Sequence, residues 1–205
     1  MNAYVDGSNF YHSCKRAFGI HRVDLVRVAE RMLLGDETLS RIKYFTTSGN
    51  GQLNQNTQEK HHTFLARLKE TGRIDLHFGK LANRPLGHIM AACPSCGCRN
   101  VKTLSCPDCG NLIRTKDIQK SIEKGVDVQL ATVLLLDAAQ DSFDLALLFS
   151  NDADFSPAIK AAINQFHKKV VYCSFPRRPT GELLQICSEN RIITKNIIER
   201  ASRKR

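Results

Sequence analysis

Leu145–Asp154 (LALLFSNDAD) is the stretch on which the reading of the chain turns. Five apolar residues in a row, with no alternation, describe a central strand of a parallel sheet, covered on both faces. The run stops abruptly at Ser150-Asn151-Asp152, and Ser156–Gln165 then reads as a helix with Pro157 tolerated in its first turn. On the other side, Val126, Leu130, Val133 and Leu134 recur as they would on a mostly buried helix. A helix, an apolar strand and a second helix in succession predict α/β architecture.

The same alternation extends outward. Asn2–Asp6 reads as a short strand ending in a polar turn, Gly7-Ser8-Asn9. Val23, Val26, Ala29, Met32 and Leu33 have helical spacing, closed by Gly35, and Arg41–Thr47 is β-branched and aromatic enough for a strand. Residues 54–70 predict a helix, Ile74–Leu81 and Val170–Ser174 two further strands, and a last helix and a basic tail follow. Repeated strand–helix units predict a doubly wound three-layer fold with a mainly parallel central sheet, and ligands in such sheets sit beyond the carboxyl ends of the strands, at the switch point. Only residues 87–115 break the pattern, where periodicity gives way to Cys, Gly and Pro. The predicted organisation is a discontinuous main domain (1–86 and 116–190), an insert (87–115) and a basic C-terminal segment (191–205).

Composition narrows the function. With 205 residues, 42% hydrophobic and 24% charged, the chain is an ordinary globular domain rather than a disordered one. No apolar run reaches the roughly 18 residues of a membrane span, and no basic-then-apolar leader opens the sequence, so a cytoplasmic protein is expected. Thirty basic against twenty acidic residues leave +10, which points to a polyanionic partner, most simply nucleic acid.

Against that positive background, aspartates gather at the predicted strand ends. Asp6 closes the first strand with Asn9 just beyond it, Asp152 and Asp154 follow LALLFS, and Asp127 opens the helix before that strand. If the first and the LALLFS strands are neighbours, Asp6, Asp127 and Asp152 converge on one crevice. Carboxylates that close repel one another unless a cation neutralises them, and hard oxygen donors suit Mg²⁺ or Mn²⁺. A basic protein with an acidic pit has the profile of an enzyme that cuts phosphodiesters. Asp154 reads equally well as a helix cap, and Asp127 has that alternative too.

Five of the eight cysteines lie between positions 93 and 109. Cys93-Pro-Ser-Cys96 and Cys106-Pro-Asp-Cys109 form two C-x₂-C knuckles, each followed by glycine, and four thiolates at this spacing predict a closed structural Zn²⁺ site in a small ribbon. Cys98 could stand in for Cys96, and an iron–sulfur cluster is the less favoured occupant. Arg99, Lys102, Arg114 and Lys116 make the insert a candidate grip on nucleic acid; a rigid cap or a homodimer contact is the plainer alternative. Ser48–Gly51 reads as a simple turn, and Cys14, Cys173 and Cys187 read as core thiols. The stretch from Arg191 to Arg205 holds six basic residues and one acidic.

Three of these motifs, in this order, resemble one family. The first strand running into DGSN (Asp6–Asn9), KGVDVQLAT (Lys124–Thr132) and LLFSNDADFSPAI (Leu147–Ile159) look like the NYN domain family, the LabA-like group of the PIN-like nuclease superfamily. The resemblance covers about residues 1–85 and 115–190. It implies a Rossmann-like three-layer fold, a Mg²⁺ or Mn²⁺ centre and ribonuclease activity. A small, open pit favours single-stranded or looped RNA over regular duplex as substrate. Carried over, Asp6, Asp127 and Asp152 are the metal ligands, Asn9 and Ser150 the supporting polar groups, and Asp154 an extra acid. Family members often read S-G-D where this chain has Ser150-Asn151-Asp152, and often carry an acid where it has Val133. The alternatives are an RNA-binding module without turnover and a nuclease acting on DNA.

Overall fold

The computed structural model describes residues 1–20, 23–47, 55–85, 89–92, 99–101, 103–114, 119–176 and 179–202. Cys93, Cys96, Cys98, Lys102, Lys116 and the Ser48–Gly51 loop, all singled out above, lie outside them.

The main-domain strands are β1 (Asn2–Asp6), β2 (Arg41–Thr47), β3 (Ile74–Pro85), β8 (Gln119–Lys124), β9 (Leu145–Phe149), β10 (Lys169–Ser174) and β11 (Glu189–Ile192). They form one sheet in the order β11-β10-β9-β1-β2-β3-β8. The first six are parallel, and only β8 runs antiparallel, against the second half of β3. The strand order reverses between β1 and β9, so LALLFS does lie beside the first strand, with Val5 opposite Phe149.

Helices are α1 (Gly7–Phe18), α2 (Leu25–Glu30), α3 (Gln55–Glu70), α4 (Val126–Ala139), α5 (Ser156–Asn164), α6 (Gly181–Ile186) and α7 (Lys195–Ser202). Strand alternation divides the core between them. Ala3, Val5, Ile42, Tyr44, Leu147 and Phe149 pack with α1, α2, α3 and α7, while Tyr4, Phe45, Ala146, Leu148 and Tyr172 pack with α4, α5 and α6. The result is the expected three-layer α/β fold with a mainly parallel central sheet. Among the described residues no helix is long and apolar enough to cross a membrane.

Four elements depart from the sequence reading. The chain leaves β1 directly into α1, where a turn was expected at Gly7-Ser8-Asn9. Gly7 is required there, because a Cβ would lie 2.5 Å from the Tyr44 ring and 2.8 Å from the Phe45 carbonyl oxygen. β3 continues to Pro85, and its second half pairs with the unforeseen β8. The expected boundary at 190 falls inside β11, a sixth parallel strand. The segment read as a basic tail also carries α7, and its Ile193, Ile198 and Ala201 are in the core. Arg191 is buried at 8% exposure, donating to both carboxylate oxygens of Glu37 and of Glu189 and to the Met32 carbonyl.

The insert holds two small antiparallel pairs, β4 (Ile89–Ala92) with β5 (Arg99–Val101), and β6 (Thr103–Ser105) with β7 (Leu112–Arg114). Cys106 and Cys109 sit in the turn between β6 and β7. The Cys106 amide donates to Asn111 O at 2.8 Å, and Gly110, at φ 72°, donates its amide to Cys106 O at 2.9 Å. That left-handed conformation is the reason for glycine after the second cysteine.

Candidate functional site

The period of two along a strand decides where the acids point. Asp6 shares the face of Tyr4, and Ser150 that of Leu148, so both tips face the layer that contains α4. Gly125, at φ 79°, turns the chain from β8 into α4, and Asp127 falls in the helix's first turn, where the helix dipole favours negative charge. After β9, Ser150 and Asn151 lead into a short 3₁₀ turn, Ala153–Phe155, which Asp152 caps. Asp6, Asn9, Asp127, Asn151 and Asp152 therefore line one cleft of about 360 Å³, completed by Ser8, His12, Ser13 and Arg16 of α1.

Each acid is held differently. Asp6 is buried at 5% exposure, and two neutral groups donate to it. Oδ1 accepts from the Asn9 amide at 3.1 Å, capping α1, and Oδ2 accepts from the Ser150 hydroxyl at 3.0 Å. Asp152 Oδ1 accepts from the Asp154 amide at 2.9 Å, and its own amide donates to Ser150 Oγ at 3.2 Å. So Ser150 ties the ends of β1 and β9 together without itself lining the cleft. Asp127 is pushed above the usual carboxylate range by loss of solvent around the carboxyl and by the facing charges of Asp152 and Asp154. The cap roles weighed for Asp127 and Asp154 belong to Asp152 and Asp6. Asp154 is exposed and outside the cleft lining, and acts on it through charge.

Asn151, noted above as a departure from the S-G-D pattern, uses both ends of its side-chain amide. Its amide group donates to Ser13 Oγ at 3.3 Å, its carbonyl accepts from the Tyr172 hydroxyl at 2.6 Å, and its backbone amide donates to Asn9 Oδ1 at 3.1 Å. Tyr172 Oη in turn accepts from the Thr180 amide at 3.0 Å, and the Thr180 hydroxyl donates to the main-chain carbonyl of Asn151. β10 and α6 thereby hold the loop that carries Asp152. Val133, the other departure, packs half-buried against the core, away from the cleft lining.

The donors on offer are oxygens of carboxylate, amide and hydroxyl groups, the set that hard divalent cations prefer. Among the described residues no three His, Cys, Asp or Glu side chains are grouped as a ready-made metal cage. The cleft thus fits a cation that keeps part of its water shell, as Mg²⁺ does. In the insert, the Cys106 thiol is lowered by the Cys109 and Asp108 amides that face its sulfur and by the Cys109 side chain, the environment a thiolate ligand needs. Cys14 and Cys187, by contrast, are pushed up to about 12 by burial, as core thiols are.

Sequence reasoning missed Ser8, His12, Ser13 and Arg16, together with Tyr172 and Thr180. The signal for the first four was the apolar spacing of Phe10, Cys14 and Ala17, which marks a helix with those residues off its buried face.

Comparison with known proteins finds the following similarities. The family model of the NYN domain matches residues 99–194, a span that holds Asp127, Ser150, Asp152 and Asp154 but not Asp6 or Asn9. A curated relative is the 6-hydroxy-3-succinoylpyridine 3-monooxygenase HspA of Pseudomonas putida, 27% identical over 180 residues, which cover 77% of this chain and 53% of the relative. The chain spans about half that protein's length. Among solved structures, a Vibrio parahaemolyticus protein of unknown function superposes with a TM-score of 0.59 at 16% identity, covering 96% of this chain and 94% of that one.

Proposed function

We propose that the protein is a metal-dependent ribonuclease of the NYN type, an endonuclease that hydrolyses phosphodiester bonds in single-stranded or looped RNA. The observation that carries this reading is the convergence of Asp6, Asp127 and Asp152 on one cleft at the switch point, with like charges facing each other in a protein of net +10. Asp6, Asp127 and Asp152 would hold Mg²⁺ or Mn²⁺, which when bound supplies charge stabilisation at the phosphate and an acidified water. Ser150 and the Asn9 amide orient Asp6, and Asn151 fixes the loop of Asp152. The overall positive charge draws the strand to a site that would otherwise repel it.

The Pseudomonas relative bears the name of a monooxygenase. The cleft here favours a cation over an anionic dinucleotide, since a buried carboxylate stands at the tip of β1, where a dinucleotide fold offers glycine amides to phosphate. For the insert, the reading is one structural Zn²⁺ held by Cys93, Cys96, Cys106 and Cys109, with β6 and β7 folded around it. Elemental analysis should give about one zinc per chain; zinc-free protein with an intact insert would reject that ligand set.

The test is to incubate labelled RNA and labelled single-stranded DNA of one sequence with the purified protein and Mn²⁺ or Mg²⁺, with and without chelator. RNA cleavage that chelator abolishes is expected. RNA retained but uncut would favour the binding module, and cutting confined to DNA would move the substrate.

A further inference from the structure

From the acidic cleft, the outer face of α1 continues outward beyond the residues that line it. Phe10 and Cys14 turn into the core, while Tyr11, His12, Lys15 and Arg16 are exposed on the opposite side. Ser8, His12 and Arg16 fall four residues apart, so this stripe begins at the cleft, and His12 and Arg16 belong to its lining. Tyr11 and His12 pack edge to face, their ring centroids 5.2 Å apart, which presents two aromatic surfaces beside two cations. Long side chains on a helix lean toward its N-terminus, so Lys15 and Arg16 incline toward the cleft.

Resting on the nuclease reading of the cleft, we infer that this face of α1 is the track along which a single RNA strand leaves the acidic centre. In it, Arg16 and Lys15 hold phosphates, and Tyr11 and His12 offer surfaces for bases. A groove that combines cations with aromatic rings takes single strands without sequence preference, because every base has a π-face. Arg16 lies seven residues beyond Asn9, about 10 Å along the helix, a distance that a strand advancing at least ~3.4 Å per phosphate covers in two or three nucleotides. The track thus selects a polynucleotide over a mononucleotide, and makes the grip depend on nucleotides flanking the bond at the acids.

The probes are a fluorescent decanucleotide of uridine and the corresponding dinucleotide, titrated at several salt concentrations with Ca²⁺ in place of Mg²⁺. The Lys15→Ala/Arg16→Ala variant should bind the decanucleotide roughly tenfold or more weakly, with a slope of log affinity against log salt shallower by about 1–2. The dinucleotide should lose far less, and Arg16→Lys should restore most of the slope. An unchanged slope, or an equal loss for both lengths, would overturn the track. Cleavage of the same decanucleotide in Mn²⁺ is scored separately. Wild-type protein that grips along α1 without cutting refutes only the nuclease reading, and protein that cuts RNA with undiminished affinity in the double variant refutes only the track.

Discussion

Helix α4 carries two aspartates with opposite fates. Asp127, in its first turn, faces Asp152 and Asp154, and its pKa is raised. Asp137, ten residues on and buried at 7% exposure, is fully compensated. Lys43 Nζ lies 2.8 Å from Oδ1 and 2.6 Å from Oδ2, and the Tyr4 hydroxyl donates to Oδ2 at 2.5 Å. Burial and the Asp137 carboxylate push the Tyr4 hydroxyl well above its ordinary range. A structural acid is neutralised by the protein's own cation. Asp127 is left opposing other acids, as the proposed cation site requires. The difference separates function from architecture on a single helix.

The largest effect should come from the acidic cleft. Asp6→Asn removes charge without changing shape and should lower RNA cleavage about a hundredfold or more, with no loss of melting temperature. Full activity in this variant would end the contrast, since the cleft acids would then be ornamental. At the compensated end, Asp137→Ala strands Lys43 and the Tyr4 hydroxyl. It should cost about 3–5 kcal/mol and lower the melting temperature by roughly 10 °C; a shift near zero would show the ion pair to be dispensable.

Tyr172→Phe tests the link between the two kinds of region. It leaves the Thr180 amide and the Asn151 carbonyl without their hydroxyl partner, for about 1–2 kcal/mol and a roughly tenfold drop in cleavage. Loss of stability with cleavage intact would mean that Asn151 does not position Asp152.

Smallest is Asp127→Asn, read as stability alone. A carboxyl whose folded pKa lies above its unfolded one binds more protons when folded, so stability falls as pH rises from the ordinary carboxylate range through the raised value. The variant should therefore melt about 1–3 °C higher than wild type at pH 7 and no higher at pH 4, the exposed site being screened by solvent. Equal behaviour at both pH values would mean that Asp127 feels no repulsion.

How much of this was readable in advance depends on the range of the signal. The unbroken apolar run of β9 and the aspartates after β1 and β9 were enough for the sheet and the switch-point crevice, because both follow from local pattern plus one topological rule. Helix α1 was hidden by its polar face, since Ser8, His12, Ser13 and Arg16 make the stretch after Asp6 look like a polar turn while only Phe10 and Cys14 betray the buried side. β8 and β11 escaped because their residues, such as the Gln119–Lys124 stretch, are polar edge strands that gain meaning only from a neighbour distant in sequence. Arg191 looked like part of a basic tail because its carboxylate partner Glu37 is 154 positions away.

The pairing of β1 with β9 also sets a clock. A central strand made first must wait for its second neighbour until residues 145–149 have been synthesised, which at about 5–20 residues per second takes roughly 10–30 s. Throughout that interval Asp6 has no Ser150 to orient it and no Asp152 beside it. On the proposed nuclease reading, a nascent chain cannot cut the RNA around it until synthesis has passed Asp152, the last acid of the cleft.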